Sequence, residues 1–189
     1  MEVKVAHKIE APTGGRIHRV RVTVDPGRKW IQAIKAAGPD TPKQWLKTDI
    51  GQAGEQFPPH LEAKPAEREF ILVNFGRAVS GQAALDWGMM NCKRNALPRE
   101  IFAIAQNHPN LNQELKTNGA MALLSLEVCK MGADVFSPVE GELFLAKRRV
   151  VECVCAVAWT EKRKRYCKLA ELNEFTDICW FAFNVNLDQ

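Results

Sequence analysis

Histidine is scarce in this chain, four among 189 residues, and the partner groups that catalysis or metal binding needs are missing around it. His7 and His18 fall in an expected N-terminal hairpin, and His60 follows a pair of prolines. His108 precedes Pro109 at the end of an expected helix, where its ring meets terminal carbonyls. No Cys-x-x-Cys or His-x-x-x-His spacing announces zinc. No serine or cysteine lies in a Gly-x-Ser-x-Gly elbow. Gly76–Gly81 has neither the Gly-Lys-Ser/Thr ending of a phosphate loop nor the dinucleotide spacing. Glu140 and Glu142 flank Gly141 in what reads as a plain turn, without the Asp/Asn-rich loop that calcium needs. No cofactor, no metal and no named catalytic group is therefore expected, and an enzyme is the least supported class. There is no run of eighteen apolar residues, and Glu2, Lys4 and Lys8 interrupt the first stretch. Neither a membrane span nor a signal peptide is expected, which makes the cytoplasm, where thiols stay reduced, the expected compartment.

What is present is an ordinary globular composition, 46% apolar and 25% charged. Six cysteines are read as small buried apolar residues. Cys153, Cys155, Cys167 and Cys179 lie inside expected strands, and Cys153 and Cys155 are next-but-one neighbours on one strand, which does not suit a mutual disulfide. The net charge of +4 is unevenly spread. Between Lys147 and Lys168 eight basic residues outnumber Glu152 and Glu161, so this stretch is a local cation cluster. It is either a footprint for an anionic partner or two solvated turns.

Residues 17–24 alternate clearly, with Val20, Val22 and Val24 on one side and Arg19, Arg21 and Thr23 on the other. Pro12–Gly15 before them sets up a hairpin with residues 3–9. Asp25-Pro26-Gly27 and Gly38-Pro39 bracket a short helix over Arg28–Ala37, with Trp30, Ile31 and Ile34 as its apolar stripe. Residues 39–68 hold Pro39 with Pro42, Pro58, Pro59 and Pro65 near or inside them, and little periodicity. They read as a connection between a β-β-α module over 1–38 and a main domain over 69–189, with one strand or short helix near Trp45–Ile50. Glu69–Phe75 is an expected strand. Ser80 caps a helix through Met90, Pro98 opens a second that stops at Asn107-His108-Pro109, and Asn110–Leu115 is a further short turn of helix. Ala120–Val128 alternates as a strand.

The end of the chain carries three apolar runs of strand length, Val150–Trp159, Tyr166–Leu172 and Ile178–Asn186, which read as an antiparallel three-stranded meander. With turns centred between Arg163 and Lys164 and on Phe175, Trp159 lies opposite Lys168 and Ala170 opposite Trp180. One face then holds Val154, Ala156, Ala158, Cys167, Leu169, Cys179, Phe181, Phe183 and Val185 as core, with Glu171 the only charge among them. The other holds Cys153, Cys155, Val157, Trp159, Tyr166, Lys168, Ala170, Leu172, Ile178, Trp180 and Ala182, either a second core face or a surface that presents ligand contacts. Helices followed by antiparallel strands make the fold class α+β.

Asn74-Phe75-Gly76-Arg77-Ala78-Val79-Ser80, Ala84-Leu85, Leu97-Pro98-Arg99-Glu100-Ile101 with Ala103, His108-Pro109-Asn110-Leu111 and the closing Cys179-Trp180-Phe181-Ala182-Phe183 give the chain, from about Leu72 to Val185, a resemblance to a family of small uncharacterised bacterial proteins. Phe175 departs from it, since relatives usually carry tryptophan there. The final residues of that family vary strongly between members, a pattern similar to the variable proteins of diversity-generating retroelements. The resemblance implies a C-type lectin-like fold, two helices followed by a sheet, that displays diversified residues to a protein or glycan ligand.

Two readings follow. In the first the chain is a non-enzymatic ligand-binding protein whose contacts are Tyr166, Lys168, Ala170, Glu171, Asn173, Thr176, Asp177 and Trp180, because flat aromatics beside cations suit sugar rings and protein hot spots. In the second it binds nucleic acid through Lys147, Arg148, Arg149, Lys162, Arg163, Lys164 and Arg165.

Overall fold

The computed structural model describes residues 9–117, 119–139 and 142–185, the stretch 133–149 and Glu174 by backbone alone. The expected 3–9 strand and the Glu140–Gly141 turn lie outside the described residues. The chain is α+β. Its strands are β1 (Arg16–Val24), β2 (Ala66–Asn74), β3 (Val79–Ser80), β4 (Arg94–Asn95), β5 (Met121–Val139), β6 (Glu142–Trp159), β7 (Arg165–Glu171), β8 (Glu174–Phe175) and β9 (Cys179–Asn184). Its helices are α1 (Trp30–Ala37), α2 (Asp49–Ala53), α3 (Gly81–Asn91), α4 (Pro98–Asn107) and α5 (Leu111–Glu114). No helix among the described residues is long and apolar enough to cross a membrane.

Among the described residues seven strands form one sheet in the order β1-β2-β9-β5-β6-β7, with β4 also paired to β9. β9 is antiparallel to β2 and parallel to β5. Its six residues are all buried, as an inner strand covered on both faces requires. The C-terminal meander is thereby corrected. β7 and β9 are not neighbours; the chain between them crosses one face of the sheet as β8, which pairs with β3 in a separate two-stranded ribbon. Period-2 alternation reports a half-buried strand, and Cys179–Asn184 is apolar on both sides, so its pattern carried no information about its neighbours.

The β6–β7 register is also corrected. Trp159 lies opposite Arg165, not Lys168, because the turn closes early: Thr160 N–H donates to Lys164 O at 2.9 Å, Arg163 N–H donates to Thr160 O at 3.0 Å, and Arg163 takes a φ of 58°. The offset is odd, so the faces of β7 exchange relative to β6. Cys167 and Leu169 join Cys153, Cys155, Val157 and Trp159 on one face; Ala170 joins Val154 and Ala156 on the other.

Both faces of the sheet are covered. On one, Val20, Phe70, Leu72, Leu123, Val157 and Trp180 pack against Trp30 and Ile34 of α1, Ile50 of α2 and Ile101 and Phe102 of α4. On the other, Ile71, Val73, Leu124, Val154, Phe181 and Phe183 pack beneath α3 and Phe175. Gly88 lets α3 approach closely, since a Cβ there would stand 2.0 Å from the Phe183 ring. β1 pairs with β2 along its whole length, and Trp30 shares a core with Trp180. The alternation of Val20, Val22 and Val24 is realised against β2.

The helix signals are met at Ser80, whose Oγ accepts from Ala83 N–H at 3.2 Å, and over Pro98–Asn107. Asp25 acts one turn earlier than expected. Its Oδ1 accepts from Gly27 N–H at 3.0 Å in a tight turn, and α1 starts at Trp30. Residues 39–68 contribute α2 and the ring of Phe57, stacked 5.7 Å from Trp30.

Candidate functional site

The first basis of the site is how β7 is held. Arg165 turns inward, its Nη1 donating to Ala105 O at 2.9 Å and its Nη2 to Ala36 O at 3.3 Å, so one guanidinium serves the C-terminal carbonyls of α4 and α1 together. Asp40 Oδ2 accepts from Arg165 N–H and Thr41 Oγ1 from Cys167 N–H, both near 2.9 Å, closing that half of the outer edge of β7. The other half, Lys168–Glu171, borders a cleft of ≈ 540 Å³ between α2 and β7. Its apolar wall is Trp45, Met131, Cys153 and Leu169; Asp49, Gln52, Lys168 and Glu171 supply its polar groups. A second groove, ≈ 570 Å³, lies among Lys130, Val150, Glu152, Glu171 and Asn173. Glu171 lines both.

The eight expected contact residues divide three ways. Lys168 and Glu171 line the first cleft, and Glu171 and Asn173 the second, with Asn173 Nδ2 donating to Glu171 Oε2 at 3.1 Å. Tyr166 is half-buried with its ring 5.8 Å from Trp45, and Ala170 packs into the core beneath α3. Thr176 and Asp177 are exposed at the other end of the sheet, beside Asn74, whose Nδ2 donates to the carbonyls of Asp177 and Cys179. Trp180 cannot be displayed: it is 2% exposed, inside the sheet's first core, with the Arg16 guanidinium 5.1 Å from its ring. Trp159 is buried too, its Nε1 donating to Pro109 O at 2.9 Å.

The basic residues do not form one patch. Lys147, Arg148 and Arg149 lie on β6 opposite Val135, Asp134 and Ala133. Lys162, Arg163 and Lys164 occupy the exposed turn beyond its far end. Ten residues of strand, about 33 Å, separate Arg149 from Trp159. Arg165 is removed from any such surface by its helix carbonyls.

Cys129, Cys153, Cys155 and Cys167 share one sheet face and are all buried as free thiols. Burial pushes the Cys153 thiol up, with the Cys129 thiol, Glu171 and Asp49 adding to it, so the cysteine of the cleft is a neutral thiol and a poor nucleophile. Among the described residues no three His, Cys, Asp or Glu side chains converge as metal ligands do. His108 Nδ1 pairs with Glu114 Oε2 at 3.0 Å, away from both clefts.

Trp45, Asp49, Gln52 and Met131 were not among the expected contacts. Asp49 and Gln52 come from the segment read as a connection, and the only local signal for them was the short element expected near Trp45–Ile50. Met131 lies past Val128, where the alternation of β5 ends. No protein-family model, no curated protein and no solved structure matches the chain.

Proposed function

We propose that this chain is a binding protein and that its ligand is a protein segment seated in the cleft between α2 and β7. One observation carries this reading: three of the residues expected as contacts, Lys168, Glu171 and Asn173, converge on two adjoining clefts that share Glu171. An apolar wall of Trp45, Met131 and Leu169 suits an apolar anchor side chain. Asp49 and Glu171 outweigh Lys168, which favours a positive charge beside that anchor. The same balance disfavours phosphate there, and the separation of the basic clusters weakens the nucleic-acid reading.

The likeness to retroelement variable proteins gives this reading a specific form, in which a C-type lectin-like body holds β9 rigid while residues around Glu171–Asp177 vary. The exposure of Glu171, Asn173, Thr176 and Asp177 supports it. Its test is the gene: a near-copy of the 3′ coding end, differing only at adenines and lying beside a reverse transcriptase gene.

The binding reading is tested by capture from extracts of the source cell on immobilised wild type and on the triple variant Lys168→Ala/Glu171→Ala/Asn173→Ala. Thr176→Ala/Asp177→Ala serves as the control. A protein retained by wild type and control and lost from the triple variant supports the cleft. Equal retention on all three overturns it.

A further inference from the structure

The outer edge of β7 is only half closed. Leu172 N–H donates to Glu152 O at 3.0 Å and Thr160 N–H to Lys164 O at 2.9 Å, so the even-numbered residues of β7 turn their main-chain groups toward β6. Arg165, Cys167, Leu169 and Glu171 turn theirs away. The fold fills the first two of these positions. Asp40 N–H donates to Arg165 O at 3.0 Å, and Asp40 Oδ2 and Thr41 Oγ1 accept from the N–H groups of Arg165 and Cys167. Among the described residues nothing bonds to Leu169 N–H, Leu169 O or Glu171 N–H. Leu169 and Glu171 both line the cleft between α2 and β7.

A donor, an acceptor and a donor in a row along a strand edge are a template for another strand. A helical ligand uses its main-chain groups within itself and cannot meet them. An extended segment brings the same groups free, and its side chains alternate between two faces.

Those side chains are selected by what borders the edge. Leu169 and Trp45 pack on the same core as Cys153 and offer an apolar contact. Glu171 follows Leu169 on that face by alternation. Burial pushes the Cys153 thiol up, and Glu171 and Asp49 both add to it, so the two carboxylates stand on the cleft side of the sheet. Lys168 belongs to the other alternation. Its charge acts on Cys179, whose thiol burial raises and Lys168 helps to lower, in the core beneath α3. The cleft side of the edge keeps an excess of negative charge. A segment laid on this edge directs one side chain toward Leu169 and Trp45 and the side chain two residues on, roughly 7 Å along, toward Glu171 and Asp49.

We propose that the ligand adds to β7 as a further strand, hydrogen-bonded to the main chain of Leu169 and Glu171, and that it carries an apolar residue followed two positions on by a lysine or arginine. This rests on the cleft reading and states how the cleft is filled.

The probe is a set of synthetic heptapeptides, acetylated and amidated, with threonine throughout except for Leu, Phe, Met or Trp at the third position and Lys at the fifth. Each is titrated into the full chain and followed by NMR of the backbone amides. The expected result is that at least one peptide binds and, near saturation, slows exchange of the Leu169 and Glu171 amides on the order of tenfold. The same peptide with Glu at its fifth position should bind more weakly. Glu171→Ala removes the carboxylate alone, whereas Glu171→Pro also removes the outward N–H, at an edge position where proline breaks no bond to β6. The proline variant should bind about fivefold more weakly than the alanine variant, with circular dichroism checking that both are folded. Binding that is lost in Lys168→Ala/Glu171→Ala/Asn173→Ala but leaves the Leu169 and Glu171 amides unslowed, with the proline and alanine variants equal, overturns strand addition and leaves the cleft reading standing. Equal binding of the Glu and Lys peptides overturns the basic residue. A wild type that binds none of the peptides overturns the proposal, and the cleft reading falls with it only if capture from extracts is also equal on wild type and triple variant.

Discussion

Gln56 behaves toward Lys130 as a strand residue would: its Nε2 donates to Lys130 O at 2.9 Å and its Oε1 accepts from Lys130 N–H at 2.8 Å. A side-chain amide carries the same donor and acceptor as a peptide unit, so a turn of 3₁₀ helix over Gly54–Gln56 ends a ladder that no strand among the described residues continues. Gln56→Ala leaves both main-chain groups to water. Because the site is exposed, we expect a stability loss of only about 0.5–1 kcal/mol. The Lys130 amide should exchange with solvent far faster, while the Leu123 amide, deep in β5, keeps its protection. Unchanged exchange at Lys130 in the variant would show that the pairing does not hold the edge.

Arg165 joins the ends of two helices. Its bonds to Ala36 O and Ala105 O meet carbonyls that the last turns of α1 and α4 leave open. Arg165→Met keeps the aliphatic stem and removes the guanidinium. We expect a loss of about 1–3 kcal/mol in urea unfolding, against less than about 0.5 for the exposed neighbour Lys164→Met. Equal small losses at both positions would return Arg165 to the solvated turn that its sequence neighbours occupy.

Glu100 is 1% exposed and accepts from Arg68 Nη1 at 2.6 Å, from Arg94 Nη2 at 2.7 Å and from Leu97 N–H at 2.8 Å. The last bond ties the start of α4, and the first two tie α4 to β2 and β4. A buried carboxylate is tolerated only with its charge matched and its oxygens filled. Glu100→Gln keeps the shape and leaves two arginines partly buried without their counter-charge, so we expect a loss of about 3–5 kcal/mol. A melting temperature within a degree or two of wild type would mean that the arginines find other partners.

These contacts mark where the sequence was legible. Val20, Val22 and Val24, the cap at Ser80 and the Pro98–Asn107 helix were readable because their signals lie within a few residues. β9 was misplaced because an inner strand is apolar on both faces and says nothing of which strands flank it. The length of β5 was missed at Val128, where two extra residues bulge between Leu124 and Val128 and Ser125 turns to Ala96 O. In the site, Lys168, Glu171 and Asn173 were visible as polar residues on and after an apolar strand. Trp180 was misjudged for the same reason as β9. Asp49 and Met131 reach the cleft through tertiary packing from segments more than thirty residues from β7, which no local pattern records.

Buried cysteines make stability fall with alkaline pH. Burial pushes the Cys167 thiol up to about 12, against lowering contributions from the Thr41 hydroxyl and Arg165, and burial pushes the Cys92 thiol to about 11. Unfolding releases these groups to an ordinary value near 9.0. The folded pKa is the higher one, so the folded state holds protons that the unfolded state gives up. Their contribution is complete below about pH 9 and is lost as the pH rises toward 12. Cys167→Ala removes about one such proton. Between pH 9.5 and 11.5 the fall of unfolding free energy with pH should be shallower than wild type by ~1.4 kcal/mol per pH unit. At pH 7 the variant should lie lower by about 1 kcal/mol for the lost sulfur contacts, so the two curves cross at about pH 10 and the variant is the more stable form above it. Urea unfolding under reductant at half-unit steps from pH 7 to 11.5 measures both. Parallel curves would show that the Cys167 thiol ionises in the folded protein as readily as in the unfolded chain, and that its side of β7 opens to water.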